Sequence, residues 1–188
     1  MPSDLANHLF ELFSKKIKSW QEPDIYAISL YTSIEEDDPR YVAVTLGFNT
    51  ESRVKRQRNK ASDQDEARFN YAFWLQNKEV YFPQKNEVEL RKQWLDSTGF
   101  NYTDQEEDDD LDHILELGDQ IMFEFNEMLI EVAQKLHESK VIKNKFHQPT
   151  PIYIHELEYH DQIAEQTRRA NPEGLADDFC KWVEYIDW

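Results

Sequence analysis

The longest amphipathic pattern in the chain covers residues 110–137. Apolar side chains recur there in alternating steps of four and three residues, which is the spacing of one helix face. This row consists of Leu111, Leu115, Gly118, Met122, Phe125, Leu129, Val132 and Leu136. A second row beside it consists of Ile114, Leu117, Ile121 and Met128. The two rows make a stripe wider than a coiled-coil seam, so the pattern predicts a long helix at the centre of a globular core.

Alternation with a period of two predicts a β-hairpin earlier in the chain. Residues 24–34 and 41–48 both alternate in this way, and the polar link between them is rich in turn-forming residues. Two further strands are predicted at Val80–Phe82 and at 152–159, the second in the same sheet as the hairpin. The aromatic segment 68–75 fits either a strand or a helix.

Shorter helices are expected around these strands. Their start signals are Ser3 at the N-terminus, Asp161 after the last strand and the Asn171-Pro172 pair near the C-terminus. The pattern as a whole predicts an α+β fold, in which an antiparallel or mixed sheet of about four strands packs against the long central helix and several shorter helices. A chain of 188 residues with no low-complexity linker predicts a single domain spanning residues 1–188.

Net charge narrows the choice of partner. The chain carries 38 acidic and 21 basic residues, a formal charge of −17. Nucleic-acid phosphates would be repelled over most of this surface, whereas a basic protein would be attracted. Five cations do cluster between Arg53 and Lys60, but no glycine or aromatic residue lies among them. We expect a solvated helix face there, paired with acids of the same domain.

The most concentrated charge directly precedes the long helix. Seven acids occur there without a single Lys or Arg: Asp104, Glu106, Glu107, Asp108, Asp109, Asp110 and Asp112. A calcium-binding EF-hand loop needs glycine at its sixth position and an acid at its twelfth, but Asp109 and Leu115 stand at those positions. We therefore expect no metal, and interpret the segment as an acidic loop that docks a basic partner.

No catalytic motif is evident, and no cofactor is expected. The group His155, Glu156 and His160 differs from a zinc-protease motif, which needs two histidines four apart on a helix. Cys180, the only cysteine, lies in an amphipathic segment typical of a core thiol. The alternative function is an enzyme whose site brings these four residues together in space.

Localisation follows from what the sequence lacks. One cysteine allows no disulfide within the chain, the N-terminus lacks the positive charge of a signal peptide, and no apolar run approaches the ~18 residues of a membrane span. We expect a cytoplasmic protein without membrane contact. Trp182, Tyr185 and Trp188 recur at three-residue steps; core packing is the first explanation, and Trp188 is the candidate for a partner or homodimer surface.

Three stretches resemble a family of bacterial proteins known as domain of unknown function 4303. They are the hairpin with its Asn49-Thr50-Glu51 exit, the aromatic run from Arg68 to Trp74, and the tail Arg169-Ala170-Asn171-Pro172-Glu173-Gly174-Leu175. The resemblance covers nearly the whole chain and implies no catalytic residues. By analogy, small acidic proteins of this style resemble immunity proteins, which neutralise toxins. The sequence thus favours a non-catalytic binding protein for a basic partner.

Overall fold

The computed structural model describes residues 3–185 and has a four-stranded sheet at its centre. The strands are β1 (Ile25–Ile34), β2 (Val42–Thr50), β3 (Val80–Phe82) and β4 (Ile152–His155), in the order β3-β2-β1-β4. β1 pairs antiparallel with β2, and β2 pairs antiparallel with β3, whereas β4 runs parallel to β1. This mixed sheet, with helices packed on it, confirms the predicted α+β fold.

The predicted strands are present, and only the last one differs much in length from its prediction. The hairpin is present, with Ile34 opposite Val42 and Ile25 opposite Thr50. β4 belongs to the same sheet, but it ends at His155 and not at Tyr159, because the chain turns away toward the next helix. The ambiguous segment 68–75 is not a strand: it contains the end of a helix and a 3-10 turn at Tyr71–Phe73.

Nine α-helices occur within residues 3–185: α1 (Asp4–Ser19), α2 (Glu51–Gln57), α3 (Gln64–Phe69), α4 (Val88–Thr98), α5 (Asp104–Asp109), α6 (Leu111–Glu138), α7 (Val141–Phe146), α8 (Asp161–Ala170) and α9 (Asp177–Tyr185). Side-chain caps fix several of their starts. Ser3 Oγ accepts the Ala6 amide at 3.1 Å, and Asp110 Oδ1 accepts the His113 amide at 3.1 Å. α9 begins later than the Asn171-Pro172 signal predicted. None of these helices is both long and apolar enough to cross a membrane.

Each face of the sheet has its own apolar core. Ile28 and Ile154 point to the face covered by α1 and α6, where Phe125 of α6 is fully buried. Ala27 and Tyr153 point to the other face, where they meet an aromatic cluster supported by α3, α8 and α9. The period of two along β1 and β4 explains why adjacent residues serve different cores.

The long helix α6 is buried along only part of its predicted stripe. Phe125, Leu129 and Leu136 are fully buried, as predicted, but Leu111 and Leu115 are 60% and 61% exposed. The cause is the position of α8, whose last turn meets the second half of α6: Arg169 binds Glu127, and the Arg169 carbonyl accepts from Gln134. The first half of α6 extends beyond this cover, so the prediction that Leu111 and Leu115 are core residues was wrong.

α8 also closes the outer edge of the sheet. Thr167 Oγ1 accepts the Ile154 amide at 3.2 Å, and Gln166 donates to the Ile154 carbonyl at 2.9 Å. The Asn171 amide group, just after α8, bonds both backbone groups of Ile152. These side chains satisfy the backbone groups that β4 would otherwise leave open, and they replace a further strand.

Candidate functional site

A cleft of about 640 Å³ opens between the middle of α6 and one side of α8. Its floor is the C-terminal end of β1, from Tyr31 to Ile34, and the loop that follows β4 closes one side. The cleft exists because α8 approaches α6 only at its C-terminal end, near Glu127. The two helices therefore diverge toward the start of α8.

Apolar side chains line much of this cleft. Met122 and Phe123 project from α6, Ile34 ends β1, and Leu157 lies in the loop after β4. Phe123 is 55% and Leu157 68% exposed, so neither is used by the core. Large apolar side chains grouped at an exposed site are typical of a surface that binds another molecule.

The same apolar surface continues along α6 beyond the cleft. Leu111, Leu115 and Phe123 lie within one arc of the helix, and the twelve steps from Leu111 to Phe123 span ~18 Å. Asp112, Glu116 and Asp119 occupy the same arc and are exposed. We call this surface, together with the cleft, the acid-rimmed face.

Negative charge at the acid-rimmed face is largely uncompensated. Glu127 is neutralised by Arg169, whose guanidinium lies 2.6 Å from its Oε1. In contrast, Asp119, Glu156 and Glu165 line the cleft without an ion pair to any described residue. Partial burial raises the pKa of the Glu156 carboxyl, although nearby His160 acts in the opposite direction. A cationic ligand would supply the missing counter-charge.

Asn126 adds an unsatisfied acceptor to the α6 wall of the cleft. Its Oδ1 is shielded from solvent and has no hydrogen-bond partner among residues 3–185. Most buried polar atoms in proteins are paired, so this oxygen is an exception. The α6 wall of the cleft therefore offers hydrogen-bond acceptors, which suit a ligand rich in hydrogen-bond donors.

The acidic segment 104–112 is helical and not the loop that the sequence predicted. Its residues form α5 and the cap of α6, and several of its carboxylates have structural roles. Asp104 and Glu107 bind Arg40 at 2.8 and 3.4 Å, and Glu106 accepts the Thr103 amide at 2.8 Å. Asp110 caps α6. These four acids are thus committed at least partly to holding α5 in place.

Three acids of the segment remain available for a partner. Asp108 and Asp112 are exposed and make no ion pair within the described part of the chain. Asp109 is also exposed and accepts only from the neighbouring Gln105, at 3.0 Å. They adjoin Leu111, so the acidic segment predicted from sequence borders the acid-rimmed face at its outer end.

Arg40 anchors α5 to the hairpin. Its guanidinium reaches from the turn after β1 to Asp38 at 2.6 Å and lies 4.5 Å from the centre of the Tyr102 ring. Although burial acts to raise it, the hydrogen bonds from Arg40 hold the pKa of Asp38 below its ordinary value. This contact fixes the position of the acidic segment relative to the sheet.

The C-terminal aromatic residues have different environments. Trp182 packs on Phe69, with ring centres 5.8 Å apart, which fits the expectation of core packing. Tyr185 is 84% exposed. Trp188, the candidate for a partner or dimer surface, lies outside the described residues.

His155 is fully buried beneath the cleft. Its Nδ1–H donates to the Glu156 carbonyl at 3.0 Å, so Nε2 is the acceptor for the Ser29 hydroxyl at 2.8 Å. Rings of Tyr71 and Trp74 surround it at 4.7 and 5.9 Å. Burial lowers the pKa of His155 to about 4, so this imidazole is neutral near pH 7. The histidine has a structural role here.

The four residues of the enzyme hypothesis do not converge. Glu156 and His160 line the cleft, whereas His155 is buried beneath it. Cys180 lies behind α8, where its Sγ donates to the Ala164 carbonyl at 3.3 Å. Burial raises the pKa of this thiol to about 11, which keeps it protonated and weakly nucleophilic. His155, Glu156, His160 and Cys180 therefore do not form one catalytic group.

The basic residues of α2 and of the turn that follows it form fewer ion pairs than predicted. Arg53 donates to the Phe73 carbonyl at 2.9 Å. The other four, Lys55, Arg56, Arg58 and Lys60, are exposed and form no ion pair within residues 3–185. The solvated helix face is present, but the predicted pairing with the domain's own acids is wrong for these four.

Comparison with other proteins gives no guide to function. No family model matches the chain, and no curated protein or solved structure is significantly similar to it. Within residues 3–185 no group of three or more His, Cys, Asp or Glu side chains is arranged to hold a metal ion. The resemblance to domain of unknown function 4303 stays a prediction.

The apolar members of the site are not evident from the sequence. Ile34 and Leu157 look like ordinary strand residues, because the sequence does not show where a strand loses its neighbour. Phe123 carried a usable signal, since it falls in neither apolar row of α6 and interrupts the polar side. A large aromatic residue on the solvent side of a predicted helix marks a candidate contact.

Proposed function

We propose that this protein is a non-catalytic binding module for a basic segment of another protein, which binds to the acid-rimmed face. The proposal rests above all on one observation: Leu111, Leu115 and Phe123 of α6 are all exposed, and exposed acids without an ion pair lie among them. An apolar surface supplies affinity, and carboxylates around it favour cationic partners.

The grouping of these side chains distinguishes the surface from single exposed leucines. Single exposed apolar residues are common in proteins, but here Leu111, Leu115, Phe123 and Leu157 all belong to one face. Between them lie three exposed acids that need no partner for folding, Asp112, Glu116 and Asp119. A basic amphipathic segment would cover the apolar groups and neutralise the acids at the same time.

The proposal has a narrower form that follows from the sequence. The partner would be a basic toxin domain, and the protein would neutralise it in the manner of an immunity protein. Strong negative charge supports this form, because complementary charge speeds the association of such pairs. The narrower form depends on the identity of the partner.

A random peptide library, selected on the immobilised protein, tests the binding function. We expect the enriched peptides to combine Lys or Arg with apolar residues. Synthetic versions should bind the Phe123→Asp variant about tenfold or more weakly than the original protein, because an introduced carboxylate breaks the apolar surface. Titration by fluorescence anisotropy measures the ratio of dissociation constants.

Val88→Asp is the matched control, since Val88 is an exposed apolar residue on α4, away from the cleft lining. Its affinity for the selected peptides should equal that of the original protein. Enrichment of peptides without cationic residues, or equal loss of binding in both variants, would contradict a binding site on the acid-rimmed face.

A further inference from the structure

The floor of the cleft is a strand edge that lacks its neighbour. β1 continues to Ile34, but its pairing with β4 ends where Tyr31 lies opposite His155. The last three residues of β1 therefore have a partner on one side only, β2, to which Ile34 is paired through Val42. The same three residues line the cleft.

The register shows which backbone groups are open. The Ile28 amide donates to the Pro151 carbonyl on the β4 side. Because the backbone groups of a strand alternate between its two sides, Thr32 and Ile34 direct theirs to that side as well. On the opposite side the Glu35 amide donates to the Tyr41 carbonyl, in agreement with this alternation. Past His155, both backbone groups of Ile34 thus face the cleft, whereas Thr32 is buried.

The rest of this edge is closed. Thr167 and Gln166 of α8 satisfy the outward groups of Ile154, and Asn171 satisfies those of Ile152. No comparable side chain bonds the backbone of Ile34 among residues 3–185. Open strand edges in proteins are usually protected, so an unprotected edge at the floor of a lined cleft is a recognisable binding feature.

We propose that the cleft receives its partner as an extended segment that adds a short strand beside Thr32–Ile34, in line with β4. The open edge spans ~10 Å, enough for three residues of a guest strand. Alternate side chains of the guest would meet Phe123 and Leu157 or reach Asp119, Glu156 and Glu165. The guest is therefore a basic segment in which Lys or Arg alternates with apolar residues.

This inference rests on the proposed function and adds the conformation of the bound segment. The unpaired backbone groups of β1 at the cleft floor favour an extended bound segment over a helical one. A helix satisfies its own amides and carbonyls and would leave the edge of β1 unpaired, whereas an extended chain would pair with it. Charge complementarity alone would not separate these two forms.

Three synthetic peptides test the inference by fluorescence anisotropy. The first is the extended probe Lys-Val-Lys-Val-Lys-Val-Lys; the second is the same peptide N-methylated at every peptide bond, which keeps the side chains but removes the amide hydrogens from both edges of the probe. The third is a helical amphipathic peptide of Leu and Lys. We expect the extended probe to bind most tightly and N-methylation to weaken it about tenfold or more.

Variants of the protein test the contribution of the Ile34 amide to the same pairing. Ile34→Pro removes the amide that faces the cleft but leaves the bonds to β2, and proline is tolerated at strand edges. We expect this substitution to lower the affinity for the extended probe by a similar factor and to leave the affinity for the helical peptide unchanged. Ile34→Val keeps the amide and a β-branched side chain, so its affinity should match that of the original protein.

The outcomes separate the two proposals. Equal binding of the N-methylated and unmodified probes, or tighter binding of the helical peptide, would overturn strand addition while the binding function stands. Failure of both the extended and the helical peptide to bind would count against the binding function itself. If Ile34→Pro does not fold, the comparison of the two valine peptides on the original protein still decides the matter.

Discussion

At the scale of single residues, His155 gives the protein a defined response to acid. It is buried as a neutral group, with a pKa of about 4 in the folded state and an ordinary value of 6.5 when unfolded. The unfolded chain therefore gains a proton below about pH 6.5, whereas the folded chain resists one until about pH 4. Stability should fall across this window by about 3 kcal/mol from this residue alone.

His155→Gln tests this prediction, because glutamine does not titrate. The variant should be less stable than the original protein at pH 7, since it disturbs the bond to Ser29. The difference in the free energy of unfolding should narrow steadily as the pH is lowered from 7 to 4, as measured by urea denaturation. A constant difference across the window would disprove the role of His155.

At the scale of elements, the two halves of α6 should respond differently to mutation. Leu111 and Leu115 are exposed, whereas Leu129 is fully buried in the same predicted row. Replacing either exposed leucine by Gln should change the free energy of unfolding by no more than ~0.5 kcal/mol. Leu129→Ala should cost ~2–5 kcal/mol, because it leaves a cavity in the core. Comparable losses at all three positions would show that Leu111 and Leu115 are packed as Leu129 is.

The contact between Arg40 and α5 is a second prediction at this scale. Arg40→Met should release α5, because it removes the partner of Asp104 and Glu107 and leaves the half-buried Asp38 unpaired. Amide hydrogen exchange should accelerate in α5 and remain slow in the second half of α6. Asp104→Asn is the control, since the Asp104 side chain is 91% exposed and its ion pair contributes little. Unchanged exchange in α5 of the Arg40 variant would refute this anchoring.

These elements also show how far sequence patterns can lead. The hairpin and α6 depend on periodicity within a short stretch, and both were predicted. The predicted burial of the α6 stripe is wrong at Leu111 and Leu115. Periodicity identifies the apolar face of a helix but does not show how far a neighbouring helix covers it. The same reason hid the cleft, which arises where α8 diverges from α6.

Long-range pairing limited the prediction of the sheet in a similar way. The sequence placed a strand after Pro151, but its parallel position beside β1 depends on contacts between residues more than a hundred positions apart. The open edge at Ile34 follows from the end of that pairing and could not be anticipated. Gly118 illustrates a smaller case: it sits within α6 because a Cβ there would lie 2.8 Å from the Pro39 ring, a contact that no local pattern indicates.

At the scale of the whole molecule, charge is separated along the hairpin. The unpaired cations of α2 follow Thr50, which lies opposite Ile25 at the start of β1. The acids of α5 attach through Arg40 to the turn after the end of β1. The nine steps along β1 between these ends span ~30 Å. The end that carries the acid-rimmed face would thus attract a basic partner.

This asymmetry predicts that the free acids of α5 and its junction with α6 govern the rate of association. Neutralising Asp108, Asp109 and Asp112 to Asn should lower the association rate constant of the extended Lys-Val probe several-fold and weaken its dependence on salt, because long-range attraction is screened beyond ~8 Å at physiological ionic strength. Dissociation should change less, since these acids border the cleft without lining it. Stopped-flow measurements at low and high salt provide both rates.

Replacing Glu11, Glu22 and Glu138 by Gln changes the net charge equally at exposed positions outside the cleft lining. If both triple variants slow association to the same extent, total charge and not its position steers the partner.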